Sequence, residues 1–111
     1  SRIDAYWKKD AKQGIQYRIV FHIEGDFDED QLQDIGFAVY DVIKNIGSKS
    51  KELVATDTTL EYVVWAKTDE YEQSRDLVRA IARAFQREFK AGKIRQLLVN
   101  RKLIILKIVE A

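Results

Sequence analysis

The chain has 111 residues, 46% of them apolar and twelve aromatic (two Trp, five Tyr, five Phe), which suits one domain with a real core and excludes a disordered segment. Nineteen Lys and Arg against eighteen Asp and Glu leave a net charge of +1, so no whole-protein field draws the chain to nucleic acid or anionic lipid. Cysteine, methionine and proline are absent, which removes disulfides, thiol nucleophiles and thiolate metal sites, and forces every turn to form without the residue that most often sets φ there.

Average usage would supply about five or six prolines in this length. No apolar run exceeds five residues (Tyr62 to Ala66), and the aliphatic run Leu103 to Leu106 has four, far short of the ~18 a membrane span needs. Ser1 to Lys12 carries no apolar stretch of the signal-peptide kind. The chain reads as soluble, with its compartment open.

Residues 2–9 read as a strand, with Ile3, Ala5 and Trp7 alternating with Arg2, Asp4, Tyr6 and Lys8. Asp10 to Gly14 is a polar turn ending in Gly, suited to a hairpin loop. Residues 15–24 are a stronger strand: Ile15, Tyr17, Ile19, Phe21 and Ile23 take one face, and Gln16, Arg18, Val20, His22 and Glu24 the other. A helix follows over about 29–46. Asp28 is its N-cap, Gln31 completes a capping box, and Glu29 and Asp30 suit the positive end of the helix dipole. Its buried stripe is Leu32, Ile35, Val39, Val42, Ile43 and Ile46, and Gly47 is placed to close it as a C′ residue. Gly36 lies in mid-helix at a cost of about 1 kcal/mol relative to Ala, which points to close approach of another backbone.

Residues 52–67 read as strand, with a break expected near Asp57 to Thr59 because sixteen residues exceed the usual strand length, and one long bent strand as the alternative. A second helix runs over about 70–91, capped by Thr68 or Asp69. It buries Tyr71, Ser74, Leu77, Val78, Ile81, Phe85 and Phe89, and Gly92 ends it. Residues 94–99 and 102–110 form two more strands around a turn at Asn100 and Arg101. The order predicts an α+β fold: a two-layer α/β sandwich with both helices on one face of a mostly antiparallel sheet.

Two surfaces stand out as candidate sites. On the outward sheet face, Val20, His22, Val63 and Trp65 occupy positions that should be polar if solvated, and residues 103–109 are apolar in either register. A contiguous apolar patch marks an interface or a groove; the alternatives are self-association, a partner chain, a small ligand, or coverage by the N-terminal segment with Tyr6 and Trp7. On the second helix, Arg75, Arg79, Arg83 and Arg87 recur every four residues with Lys90 close by. Like charges at that spacing repel by a few tenths of a kcal/mol each; the candidate offsets are Glu72 and Asp76 within one turn, the acid-rich first helix, a partner or phosphates, and the simplest is the first helix lying alongside.

No catalytic motif is present, and no cofactor or metal is expected. His22 is the sole histidine, so a three-His metal site is excluded, and a strand residue facing away from the helices is the simpler reading. The acidic run Asp26 to Asp30 is not a calcium loop, because the positions that need Gly and Glu hold Gln31 and Phe37.

The helix ends, with Asp28 and Gly47 on one and Thr68 and Gly92 on the other, and the charged helix surfaces resemble those of computationally designed two-layer α/β proteins. That resemblance implies no evolved substrate, cofactor or natural catalytic activity. The segments 15–24, 29–46, 52–67, 70–91 and 102–110 are similar in order to the ferredoxin-like β-α-ββ-α-β core, with an added N-terminal strand and C-terminal hairpin. The same architecture resembles RNA-recognition motifs, but Leu60 to Lys67 lacks the basic-Gly-aromatic start of that family and its paired aromatics. The functions that follow are a designed domain without catalysis, an interaction module pairing through the sheet face, or a nucleic-acid binder using the Arg row.

Overall fold

The computed structural model describes residues 14–66, 71, 73–100 and 102–111. The elements are β1 (Ile15–Ile23), α1 (Glu29–Ile46), β2 (Gly47–Ala55), β3 (Thr59–Ala66), α2 (Ser74–Glu88), β4 (Gly92–Val99) and β5 (Leu103–Glu110). The strand expected at 2–9, the Thr68 and Asp69 caps and Arg101 lie outside the described residues. Residues 10–13 of the expected turn, and the N-terminal segment with Tyr6 and Trp7 expected as one cover of the open face, lie outside them too; Gly14 has a φ of 92°, a left-handed value that glycine adopts without strain.

The two helices pack on a five-stranded sheet in the order β2-β3-β1-β5-β4. Three of the four strand pairs are antiparallel, while β1 and β5 run parallel. The parallel pair follows from the connection. β4 takes the far edge, and the hairpin then folds β5 inward against β1, adding one reversal of direction. β1 therefore has a neighbour on both edges, and neither edge is open to a further strand.

Alternation puts Tyr17, Ile19, Phe21 and Ile23 of β1 beneath the helices, each at most 9% exposed. Leu60, Tyr62, Val64 and Ala66 flank them on β3, and Ile104, Leu106 and Ile108 on β5. Helix α1 lowers Ile35, Val39, Val42, Ile43 and Ile46 onto this layer and adds Ala38; Leu32, expected in the stripe, is only partly buried. Helix α2 contributes Leu77, Val78, Ile81 and Phe85. Ser74 and Tyr71 stay partly exposed.

The turns form without proline through side-chain hydrogen bonds. Thr56 Oγ1 accepts from the backbone N–H groups of Thr58 and Thr59 and donates to the Thr59 carbonyl, closing β2 onto β3 where the break was expected. Asn100 Oδ1 accepts from the N–H groups of Lys102 and Leu103, at 3.1 and 2.7 Å, and reverses β4 into β5. The Asp28–Gln31 capping box forms in both directions.

Helix ends differ from expectation for packing reasons. Helix α2 begins at Ser74 with Gln73 as an N-cap that makes no side-chain bond. It ends at Glu88, three residues before the predicted stop, because Phe89 turns into the core against Phe85 and Phe27. A Cβ on Gly92 would sit 2.9 Å from the Phe89 ring, so this glycine makes room for the ring. Gly47 is extended (φ −91°, ψ 154°) and not left-handed, so α1 passes directly into β2. A Cβ there would stand 2.6 Å from Val64 Cγ1 and 3.1 Å from the Lys49 carbonyl. Gly36, by contrast, has nothing within 4 Å of a built Cβ, so no backbone crosses it and its helix cost is uncompensated.

Gly36→Ala should therefore stabilise the fold by about 1 kcal/mol. Gly47→Ala should destabilise it by about 1–3 kcal/mol through overpacking against Val64. Urea denaturation of both variants checks the opposite signs.

Candidate functional site

The face of the sheet turned away from the helices is the first candidate surface. Val20 lies between Glu61 of β3 and Ile105 of β5, and Ile105 lies beside Leu98 of β4. On the next rung Arg18 lies between Val63 and Leu103. Trp65 stands between Gln16 and Lys49, and His22 between Thr59 and Lys107. All four residues singled out from the sequence, Val20, His22, Val63 and Trp65, take this open face and are partly buried. The register also decides 103–109: Leu103, Ile105 and Val109 face outward, and Ile104, Leu106 and Ile108 inward.

These residues do not make one patch. Arg18 Nε donates to Glu61 Oε1 diagonally across β1 and β3. Glu61 is 8% exposed although it lies on the open face, and the Arg18 side chain reaches solvent beyond it. The pair cuts Val63 and Trp65 off from Val20. The Lys49 ammonium, 5.2 Å from the Trp65 ring centroid, covers that isolated half further. On the other side Val20, Leu103, Ile105 and Leu98 form a continuous apolar band, bounded by Lys107, which pairs with Glu24 at 2.7 Å.

Leu98 belongs to this band because β4 carries a register shift between Gln96 and Leu98. The bulge sets Leu97 outside the ladder and turns Leu98 to the open face, leaving them 54% and 42% exposed. Sequence reasoning missed both. The signal was present: two adjacent leucines in one strand cannot both point inward. Phe37 and Tyr40 on the outer side of α1, 63% and 48% exposed, were also unforeseen.

The second candidate surface is the Arg row. Arg75, Arg79, Arg83 and Arg87 are all exposed on α2. The helices do pack against each other, yet among the described residues no ion pair links these guanidiniums to Asp30, Asp34, Asp41 or any other acid. The expected offset by the acidic helix is corrected on that point: α2 buries its apolar stripe and lifts the row into solvent.

Among the described residues Tyr62 is the one group with a strongly shifted titration. It is buried on the covered face, and its hydroxyl donates to Glu52 Oε1 at 3.2 Å. Burial first, then the charge and hydrogen bond of Glu52, push its pKa well above the ordinary phenol range. Among the described residues no three His, Cys, Asp or Glu side chains gather to hold a metal ion, and no buried side-chain polar atom lacks a partner. No helix among them is long and apolar enough to cross a membrane.

Comparison with known proteins finds no matching family model, no similar curated protein and no similar solved structure.

Two outcomes follow from this geometry. An unfolded tyrosine loses its proton near pH ~10, whereas native Tyr62 keeps it to higher pH. Above that value the native state binds more protons than the unfolded one, so stability falls as pH rises. Tyr62→Phe should flatten that decline in urea titrations run at about pH 9 and about pH 11. Separately, joining the halves of the open face with Arg18→Leu plus Glu61→Leu should leave stability within about 1–2 kcal/mol while raising self-association, read by sedimentation.

Proposed function

We propose that this chain is a non-catalytic interaction domain that pairs with a second copy of itself through the β5–β4 half of the open sheet face. The carrying observation is the unbroken band of Val20, Leu98, Leu103 and Ile105 on three adjacent strands, where a solvated antiparallel face would be polar. The band runs out to β4, an edge strand whose Leu97 and Leu98 are exposed. A two-fold contact uses one self-complementary patch twice, and here the middle of the face is already neutralised. Arg18 pairs with Glu61 and Lys107 with Glu24, which leaves Arg95 beside Lys107 and Lys93 beside Val109 as the cations at the border of the contact.

The designed-protein reading concerns origin. The capping box at Asp28 supports it, while the uncapped Gln73 and the uncompensated Gly36 weigh against it. The surface proposal holds under either origin. We also read β1, α1, β2, β3, α2 and β5 as the ferredoxin-like part of the fold, with β4 as an addition at the edge; β5 lies beside β1 and parallel to it.

Light scattering across a concentration series provides the test. The mass should rise from the 13.0 kDa of one chain toward twice that value. Leu98→Glu should hold the protein at the single-chain mass, and Trp65→Glu, beyond the Arg18–Glu61 pair, should leave association in place. A wild-type mass that stays at one chain throughout overturns the proposal.

A further inference from the structure

The Arg row on α2 points to a second activity, separate from the sheet face. Arg75, Arg79, Arg83 and Arg87 span twelve residues, or about 18 Å of helix, in steps of about 6 Å. Each step of four residues also turns the row by about 40°, so it winds over the outer surface of α2. All four are exposed, as are Gln86 and Lys90 beside them. Asp76 and Glu88, the acids nearest in sequence, form no ion pair with them, and Glu72 lies outside the described residues. The row thus carries like-charge repulsion that nothing in the described structure relieves.

The chemistry of the row selects among polyanions. A membrane-surface helix needs an apolar face free to enter lipid, but Leu77, Val78, Ile81 and Phe85 are spent in the core. A protein interface needs a desolvated apolar or aromatic centre, and no large apolar side chain interrupts the outer face between Arg75 and Lys90. A nucleic-acid backbone needs neither. Its affinity comes from phosphate neutralisation and counterion release, and guanidinium matches phosphate with two parallel N–H donors.

We propose that α2 is a sequence-independent docking surface for a nucleic-acid backbone, with these four guanidiniums taking successive phosphates. No aromatic side chain stands among them to stack a base, so the contact reads charge and not sequence. The row lies on the helix layer and the apolar band on the opposite face of the sheet. A paired molecule would therefore carry one row on each outer side, and the two surfaces can be tested apart.

The probes are a labelled twenty-nucleotide oligo(dT) and a duplex of the same length, read by fluorescence anisotropy over a salt series. Four contacts on the single strand predict a log–log salt slope of about −2.8, a loss of about 50-fold between 50 and 200 mM salt. Arg79→Glu plus Arg83→Glu should abolish binding without moving the melting temperature downward, since both side chains are exposed. Arg83→Gln alone should reduce the slope by about 0.7. Leu98→Glu should leave both slope and intrinsic affinity per chain unchanged, which distinguishes this surface from the sheet face. Three results overturn the proposal: no anisotropy change with either probe at low salt, binding that survives the double reversal, or displacement by polyglutamate as effective as by unlabelled oligo(dT) at equal charge. The last would assign the row to an acidic protein instead.

Discussion

Every part of this fold rests on the burial of one strand. β1 lies at the centre of the sheet with β3 antiparallel on one edge and β5 parallel on the other, and its Tyr17, Ile19, Phe21 and Ile23 form the floor on which both helices sit. Each of these side chains is worth about 1.5–3 kcal/mol when fully buried, and a slip of one residue would turn all four to the other face. The alternation of β1 thus sets which side the helices cover. That in turn decides which residues of β3, β4 and β5 remain outward and available for contact.

The two faces answer this constraint differently. Beneath the helices the buried residues of β1, β3 and β5 are apolar apart from the two tyrosines, Tyr17 and Tyr62, the latter with its hydroxyl held by Glu52 at the β2 edge. On the reverse, polar and apolar residues are mixed, and the Arg18–Glu61 pair separates them into two unequal halves. Such a pair adds little to stability, because its Coulomb gain is set against desolvation of the buried carboxylate. Its structural consequence is spatial: it confines the exposed apolar surface to the β5–β4 side, where the bulge at Leu97 adds two leucines at the free edge.

Charge is segregated along the same axis. The acids of α1 lie in solvent at its first turns, and the bases of α2 wind over its outer side, without ion pairs between the helices among the described residues. Ala38, Ala80 and Ala84 pack in or against the shared core, so the apolar stripes hold both helices without charge complementarity between them. A near-neutral total thus conceals a locally basic ridge on the outer side of α2, which net charge alone does not report.

Much of this was legible in the chain itself. Period-two alternation marked β1 and β3, helical spacing marked the stripes of α1 and α2, and the Asp28–Gln31 spacing marked a helix start, because each depends on neighbours within a few residues. The break between β2 and β3 was also readable, since no strand of sixteen residues suits a domain of this size. Tertiary contacts decided the rest. Phe89 ended α2 early because the core had room for its ring, Gly47 stayed extended because Val64 lies against it, and the β4 bulge reversed the faces of Leu97 and Leu98. The parallel pairing of β5 with β1 and the ion pair dividing the open face join residues far apart in sequence, and the lack of an ion pair to the Arg row among the described residues depends on equally distant acids; local pattern carries no information about which distant side chain will arrive opposite.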